Sequence, residues 1–275
     1  MSTTASAAGV QLHPSNRDFA WRDRDQTPLR RLSDDQAAQF SRDGFVKLEG
    51  AFTAEEIAAV TAAIDPIEEE RERYVREQHA GRMRLSEADI ITFTTHIVAS
   101  SPILRDFAAH PAIKAVCHDL IGPDVRLYWD QSVYKKTGKP QEFPWHQDNG
   151  YTFVTPQQYL TLWIPLVDVD AENGCPWIAP GLHRLGTLLH WPTEIGLKCL
   201  ENVPDAVCVP AKAGDVIVFS SLAPHRTGPN LRTGTVRKAY ILQYAPDGAY
   251  APLPDGGQIL MNDPSRQFSV LEDGR

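Results

Sequence analysis

Phe143-Pro144-Trp145-His146-Gln147-Asp148 sets an imidazole and a carboxylate one residue apart. In an extended backbone side chains alternate between faces, so residues two apart point the same way. A strand through this stretch offers His146 and Asp148 to one face of a metal ion. A second histidine, His225, closes the apolar run Val216-Ile-Val-Phe-Ser-Ser-Leu-Ala-Pro-His225, which reads as a buried strand. Two histidines and one carboxylate on one face leave open coordination positions, the donor set of non-haem Fe(II) oxygenases. A His-x-Asp pair alone is weak, because a chain of 275 residues can hold one by chance. The reading therefore depends on the scaffold around it.

Outward from this stretch, short strand-like runs recur at about 125–135, 159–168, 175–179, 206–210, 215–219 and 236–245. Turn signals separate them: Thr137-Gly138, Glu172-Asn173-Gly174, Lys212-Ala213-Gly214-Asp215 and Arg232-Thr233-Gly234. That spacing predicts a double-sheet jelly roll. Upstream the pattern is helical. Capping boxes at Ser33-Asp-Asp-Gln36 and Thr53-Ala-Glu-Glu56 open two helices. Gly44 ends the first, Phe45–Leu48 reads as a strand, and Pro66 is expected to stop or bend the second. The densely charged stretch 67–89 reads as a solvated helix and loop near the site entrance, and 102–121 as one more helix. The fold class is mainly β with N-terminal helices (α+β) around a double-stranded β-helix, or jelly-roll, core. Residues 1–30 are expected to be an irregular, loosely attached arm before a single domain over 31–275, helical to 122 with the core at about 123–246.

Hydrophobic residues make up 42% and charged residues 23%, ordinary for a globular enzyme. A net charge of −8 with no concentrated Lys/Arg tract argues against nucleic acid and anionic membranes as partners. No apolar run has the length of a membrane span, and residues 1–30 lack the apolar segment of a secretory signal, so the expected location is cytoplasmic. Cys117, Cys175, Cys199 and Cys208 form no CxxC pair and are expected to be reduced and structural.

Residues 143–148 resemble the signature of the phytanoyl-CoA dioxygenase family, and the resemblance continues in order. Trp163-Ile-Pro-Leu166, Glu172-Asn-Gly-Cys-Pro-Trp-Ile-Ala-Pro-Gly-Leu-His183, Gly214-Asp215, His225-Arg-Thr-Gly-Pro-Asn230 and Arg237-Lys-Ala-Tyr240 look like that family's successive blocks. Together they cover roughly 125–245. The resemblance implies Fe(II) held by His146, Asp148 and His225, with 2-oxoglutarate and O2 as co-substrates and succinate and CO2 as products. Chemistry independently asks for a cation on the distal carboxylate of 2-oxoglutarate, and a guanidinium forms the best two-bond partner. Arg237 is the candidate. The loop before it carries one residue more than the family usually has, which leaves Arg232 as the alternative. Thr227 stands where the family often places a hydroxyl for the same carboxylate, and Trp163 where it places a tryptophan lining that pocket.

Gln131 and Lys136, on and just after the strand before His146, are further candidates for the co-substrate, set against plain solvent exposure. Phe143, Tyr151 and Phe153 are candidates for a substrate cavity, with core packing as the competing reading. His183 and His190 lack a carboxylate at His-x-Asp spacing and read as structural; the role of His96 is open. The expected reaction oxidises, most simply hydroxylates, an aliphatic C–H of a small-molecule metabolite. The alternative is a cupin-type metalloprotein carrying out an isomerisation or hydrolysis without O2, which leaves Arg237, Thr227 and Trp163 without a purpose. A third reading, a binding protein that has lost catalysis, conflicts with an intact triad and arginine. The sequence does not fix the substrate or the oligomeric state.

Overall fold

A computed structural model describes residues 10–23, 28–137 and 140–275; Gly138 of the expected Thr137-Gly138 turn lies outside them. The first helix, α1 (Asp34–Asp43), starts on the Ser33 capping box and ends at Gly44, whose φ of 82° is the left-handed conformation that glycine adopts without penalty. Strand β1 (Phe45–Leu48) follows, and then α2 (Ala54–Gln78), capped by Thr53. Of the stop or bend expected at Pro66, the stop does not occur, and α2 runs through it. Ile57, Val60 and Ile64 before it and Glu68 and Val75 after it are all buried, so packing on both sides of the proline holds one continuous helix. Glu68 also corrects the view of 67–89 as wholly solvated: its carboxylate is buried and accepts from the Ser132 and Thr92 hydroxyls.

The expected helix at 102–121 is two, α3 (Pro102–Ala108) and α4 (Pro111–Leu120). Pro111 lacks an N–H and disfavours a helical residue before it, so it begins α4 at its first position. Between α2 and α3 lies β2 (Ile91–Thr95), which the sequence pattern did not reveal. The other strands of the core are β3 (Val125–Lys135), β4 (Phe143–His146), β5 (Leu160–Pro165), β6 (Pro176–Ile178), β7 (Val207–Cys208), β8 (Val216–Ser220), β9 (His225–Thr227) and β10 (Arg237–Pro246).

Two main antiparallel sheets result, beside two-stranded hairpins at Trp191–Thr193/Gly196–Lys198 and Tyr250–Pro252/Gln258–Leu260. The larger, of nine strands, has the spatial order β1-β8-β5-β10-β3-β2, extended by a hairpin at Arg82–Met83 and Ser86–Glu87 and by Ser269–Leu271 on β3. The smaller has the order β7-β6-β9-β4. Alternation along the strands explains the burial. Leu160, Leu162 and Ile164 of β5, Val216 and Val218 of β8, and Tyr240, Leu242 and Tyr244 of β10 pack with the helices. Trp163, Ile217, Phe219, Ala239 and Ile241 point the other way, toward the smaller sheet. A bulge sets Gln243 opposite Trp129 but Tyr244 opposite Leu127, so β3 changes parity at Tyr128. Leu127 thus joins the helical side, and Val133 the interior.

Among the N-terminal residues described, Leu12 and Asn16 are tied to the core. Leu12 bridges Leu188, and the Asn16 amide donates to the Leu185 and Thr187 carbonyls at 2.9 and 3.0 Å. All four cysteines are free, but Cys175 and Cys208, far apart in sequence, bring their sulfurs to 3.3 Å. Among the described residues no helix is long and apolar enough to cross a membrane.

Candidate metal centre and co-substrate pocket

Strands β4 and β9 pair in the smaller sheet with His146 directly opposite His225. Their rings lie 4.1 Å apart between centroids. The His146 Nδ1 sits 2.8 Å from the Pro144 carbonyl and the His225 Nδ1 3.0 Å from the Ala223 carbonyl. With Nδ1–H donating to those carbonyls, each ring turns its Nε2 lone pair inward, the arrangement that orients histidine on a metal. The two Nε2 atoms stand 3.8 and 3.9 Å from the Asp148 Oδ1, and one ligand atom from each residue lies within 4.8 Å of the others. Burial pushes both imidazoles down, His146 to about 3 with help from His225, and His225 to about 4, so both are neutral donors at pH 7. Burial raises Asp148, opposed by nearby His146 and by hydrogen bonds from Thr161 and Gln243. Two neutral imidazoles and one oriented carboxylate fit a facial Fe(II) site.

Asp148 follows the end of β4 rather than lying in it, within a 3-10 turn over Asp148–Gly150. Gln147 fixes that turn. Its amide donates to the Gly186 and Leu222 carbonyls at 3.0 and 2.6 Å, accepts from Leu188 N–H at 2.6 Å, and its own backbone N–H donates to His190 Nε2 at 2.9 Å. His190 is therefore a support for the triad.

Beside the triad, Arg237 is 1% exposed, and its guanidinium carbon lies 5.4 Å from the Trp163 ring centroid. One guanidinium N–H donates to the Val133 carbonyl at 3.2 Å, while Nε is buried with no partner. Burial pushes Arg237 down to about 10, so it remains charged at neutral pH. Lys135, directly across the ladder from Arg237, is also buried and donates to Thr227 Oγ1 at 3.1 Å and to the Gly228 carbonyl at 2.7 Å. Its pKa is driven well below the ordinary value by burial and by Arg237. A charged guanidinium with an unpartnered nitrogen fits the distal carboxylate of 2-oxoglutarate. Gln131, Trp163, Thr227 and Arg237 share a pocket with all three triad residues.

Other candidates lie elsewhere. Lys136 is ion-paired with Glu72 and lines neither this pocket nor the adjoining cavity. Arg232 is half exposed and ion-paired with Asp170. Phe153 stacks on His13 at 5.0 Å rather than facing the triad. His183 is buried with Nε2 3.2 Å from the Ser41 carbonyl, and His96 meets Trp129 edge-on at 4.2 Å. Phe143 and Tyr151 do meet the triad, with ring centroids 4.8 and 5.5 Å from that of His146. Both line an adjoining cavity of about 350 Å³, together with His146, Asp148, Phe93, Trp129, Gln131 and Gln243. Lys135, Thr161 and Gln243 escaped the sequence reading, as did the supporting role of Gln147; His190 was read as structural, and for Lys135 the parity of β3 was the available signal.

The description "Phytanoyl-CoA dioxygenase (PhyH)" matches residues 40–239. The chain belongs to the phytanoyl-CoA dioxygenase family. Relatives similar to it include ectoine dioxygenase from Bordetella parapertussis, 27% identical over 73% of this chain and 71% of that one. Methylphosphonate hydroxylase from Gimesia maris is 27% identical over 78% of this chain and 80% of that one. Among solved structures, a non-haem 2-oxoglutarate-dependent epimerase from nogalamycin biosynthesis has a TM-score of 0.61 at 26% identity, over 83% of this chain and 92% of that one. EctD from S. alaskensis, solved with 2-oxoglutarate and 5-hydroxyectoine, shares the fold at a TM-score of 0.64 and 23% identity, over 90% of this chain and 86% of that one. This phytanoyl-CoA dioxygenase family member is an Fe(II)- and 2-oxoglutarate-dependent dioxygenase, which removes the non-oxidative cupin alternative.

Proposed function

We propose that the enzyme hydroxylates an aliphatic C–H of a small-molecule metabolite, with 2-oxoglutarate converted to succinate and CO2. The carrying observation is the His146–Asp148–His225 face open at once to the Arg237 pocket and to the larger cavity. The names of the relatives, an ectoine dioxygenase and a methylphosphonate hydroxylase, support a small-molecule substrate. The cavity of about 350 Å³ is at the small end of the roughly 300–1,000 Å³ typical of ligand sites, which suits a compact molecule.

In this reading His146, Asp148 and His225 hold the metal. Fe(II) held by these residues would supply, with 2-oxoglutarate, the activation of O2 that C–H oxidation requires. Arg237 grips the distal carboxylate of 2-oxoglutarate, Thr227 adds a hydroxyl, Trp163 walls the pocket, and Gln131 stands at its junction with the cavity. Thr161 and Gln243 keep the Asp148 carboxylate in one orientation. Phe93, Phe143 and Tyr151 present an apolar wall to the substrate and exclude water beside the triad.

A metabolite panel incubated with enzyme, Fe(II), 2-oxoglutarate and O2, read out as succinate release and product mass, tests this. Substrate-dependent succinate with a product heavier by one oxygen is expected. Substrate-dependent succinate with a product of unchanged mass, as an epimerisation gives, would replace hydroxylation as the outcome.

A further inference from the structure

The 350 Å³ cavity has an uneven charge distribution that the triad and the Arg237 pocket do not use. Asp148 is the single carboxylate among its described lining residues, and it serves the metal face. Two guanidinium groups, those of Arg71 and Arg84, line the same cavity. Arg71 projects from α2, and its Nε is buried with no hydrogen-bond partner. Glu68, one turn earlier, feels the Arg71 charge, but its own oxygens are held by Ser132 and Thr92. Arg84 sits in the turn of the Arg82–Met83/Ser86–Glu87 hairpin at a φ of 52°, a conformation that L-residues other than Asn and Asp seldom take. Neither arginine has an ion pair among the described residues, although the Arg71 guanidinium lies 6.0 Å from the Tyr74 ring centroid. Phe93, Trp129, Phe143 and Tyr151 supply an aromatic part of the wall, and neutral polar side chains such as Gln131 and Gln243 line the rest with Met83 and Leu85.

A buried guanidinium N–H without a partner is costly unless a ligand completes it, and guanidinium is suited to two-bond recognition of an oxyanion. We propose that Arg71 binds an anionic group of the substrate, with Arg84 at the cavity rim reinforcing it. The substrate class is thus a compact organic anion, a carboxylate or phosphonate, whose apolar body lies against the aromatic wall. This rests on the hydroxylase reading above, since it takes the cavity beside the triad as the substrate site.

The test is calorimetric titration of anaerobic enzyme loaded with Fe(II) and saturating 2-oxoglutarate. The probes are phenylacetate, phenylphosphonate and cyclohexanecarboxylate, with phenylacetamide as the neutral partner of the first. At least one anion is expected to bind, with phenylacetamide about ten- to a hundredfold weaker than phenylacetate, the worth of a charged hydrogen bond. Arg71→Gln should erase that preference and Arg71→Lys restore part of it, while 2-oxoglutarate affinity stays at the wild-type value. Arg84→Gln should give a smaller loss. Relative strength of the carboxylate and phosphonate arms separates those two chemistries. Binding by none of the three anions, equal binding of acid and amide, or a preference that survives Arg71→Gln each overturns the proposal. If instead 2-oxoglutarate fails to bind the iron-loaded protein, the hydroxylase reading itself falls.

Discussion

Arg237 and Lys135 face each other across the β10–β3 ladder, both at least 98% buried, with Lys135 2% and Arg237 1% exposed. Two like charges directly opposite in a sheet would be unfavourable, and burial together with the Arg237 charge disfavours the protonated form of Lys135. Lys135 spends its donors on the Thr227 hydroxyl and the Gly228 carbonyl, which leaves the guanidinium for an anion.

Arg237→Ala should leave iron affinity nearly unchanged and raise the 2-oxoglutarate requirement steeply. Losing one partner of a buried charged pair costs on the order of 2–5 kcal/mol, roughly 30- to several-thousand-fold in affinity. Lys at 237 should rescue only partly, because a point charge cannot reproduce the planar fork. Arg232→Ala should be nearly silent, its pair with Asp170 being exposed to solvent. Titration of 2-oxoglutarate against both variants decides between the two arginines.

Lys135→Met should weaken 2-oxoglutarate binding through Thr227, whose hydroxyl loses its Nζ donor. Because both side chains act on one pocket, the double variant Lys135→Met/Arg237→Ala should be non-additive, with coupling of about 0.5–3 kcal/mol. Strict additivity in the affinity cycle would mean that Lys135 serves only to tie down the Thr227–Gly228 backbone.

Much of this was legible before any coordinates. The His146/Asp148 spacing, the apolar run into His225, both capping boxes and six of the core strands follow from period and turn chemistry. What was not legible depends on tertiary context. Pro66 breaks an isolated helix but not one whose buried residues flank it on both sides. The bulge at Tyr128 is invisible in the pattern, yet it decides the parity of Gln131, Val133 and Lys135. Counting from Gln131 in steps of two reaches Lys135 and passes over Lys136, which joins Glu72 instead.

Asp148→Ala or His146→Ala should abolish both turnover and the weak visible charge-transfer band of the anaerobic Fe(II)–2-oxoglutarate complex. Asp148→Gly opens a coordination position that chloride could fill, but it also frees Thr161 and Gln243 from the carboxylate they hold. Hydroxylation should vanish without useful chlorination. Mass spectrometry in chloride buffer checks this, and abundant chlorinated product would show that ligand replacement alone redirects the chemistry.

Asp130 should give the protein an acid-side stability that fades toward neutrality. Burial raises it to about 6; Oδ2 accepts from Val98 N–H at 3.0 Å and lies 3.3 Å from the Tyr240 hydroxyl, while Oδ1 has no partner. Its folded pKa lies above the unfolded one, so the folded state binds more protons between about 4 and 6. Its contribution is complete below that window and is lost as pH rises through it. A shift of about two units corresponds to about 3 kcal/mol. The difference in unfolding free energy between wild type and Asp130→Asn, measured by urea titration at pH 4 and 7, should move in favour of the variant as pH rises.

Gly150→Ala should damage the metal site without touching a ligand. A Cβ at 150 would stand 2.1–2.3 Å from three atoms of the His190 ring, far inside van der Waals contact. That ring cannot swing aside freely, because Nδ1 is held 2.9 Å from the Leu188 carbonyl and Nε2 accepts the Gln147 N–H at 2.9 Å. Either the ring moves, and the Gln147 N–H is left unsatisfied, or the Asp148–Gly150 turn moves and carries Asp148 with it. Overpacking of this kind costs typically about 1–3 kcal/mol. The variant should therefore show a lower melting temperature and weaker Fe(II) binding. Gly150→Ala/His190→Ala, which opens the space, should recover part of the stability but not the iron affinity, since the support of the Gln147 N–H stays lost. Wild-type iron affinity in Gly150→Ala would mean that the His190–Gln147 contact does not position the triad.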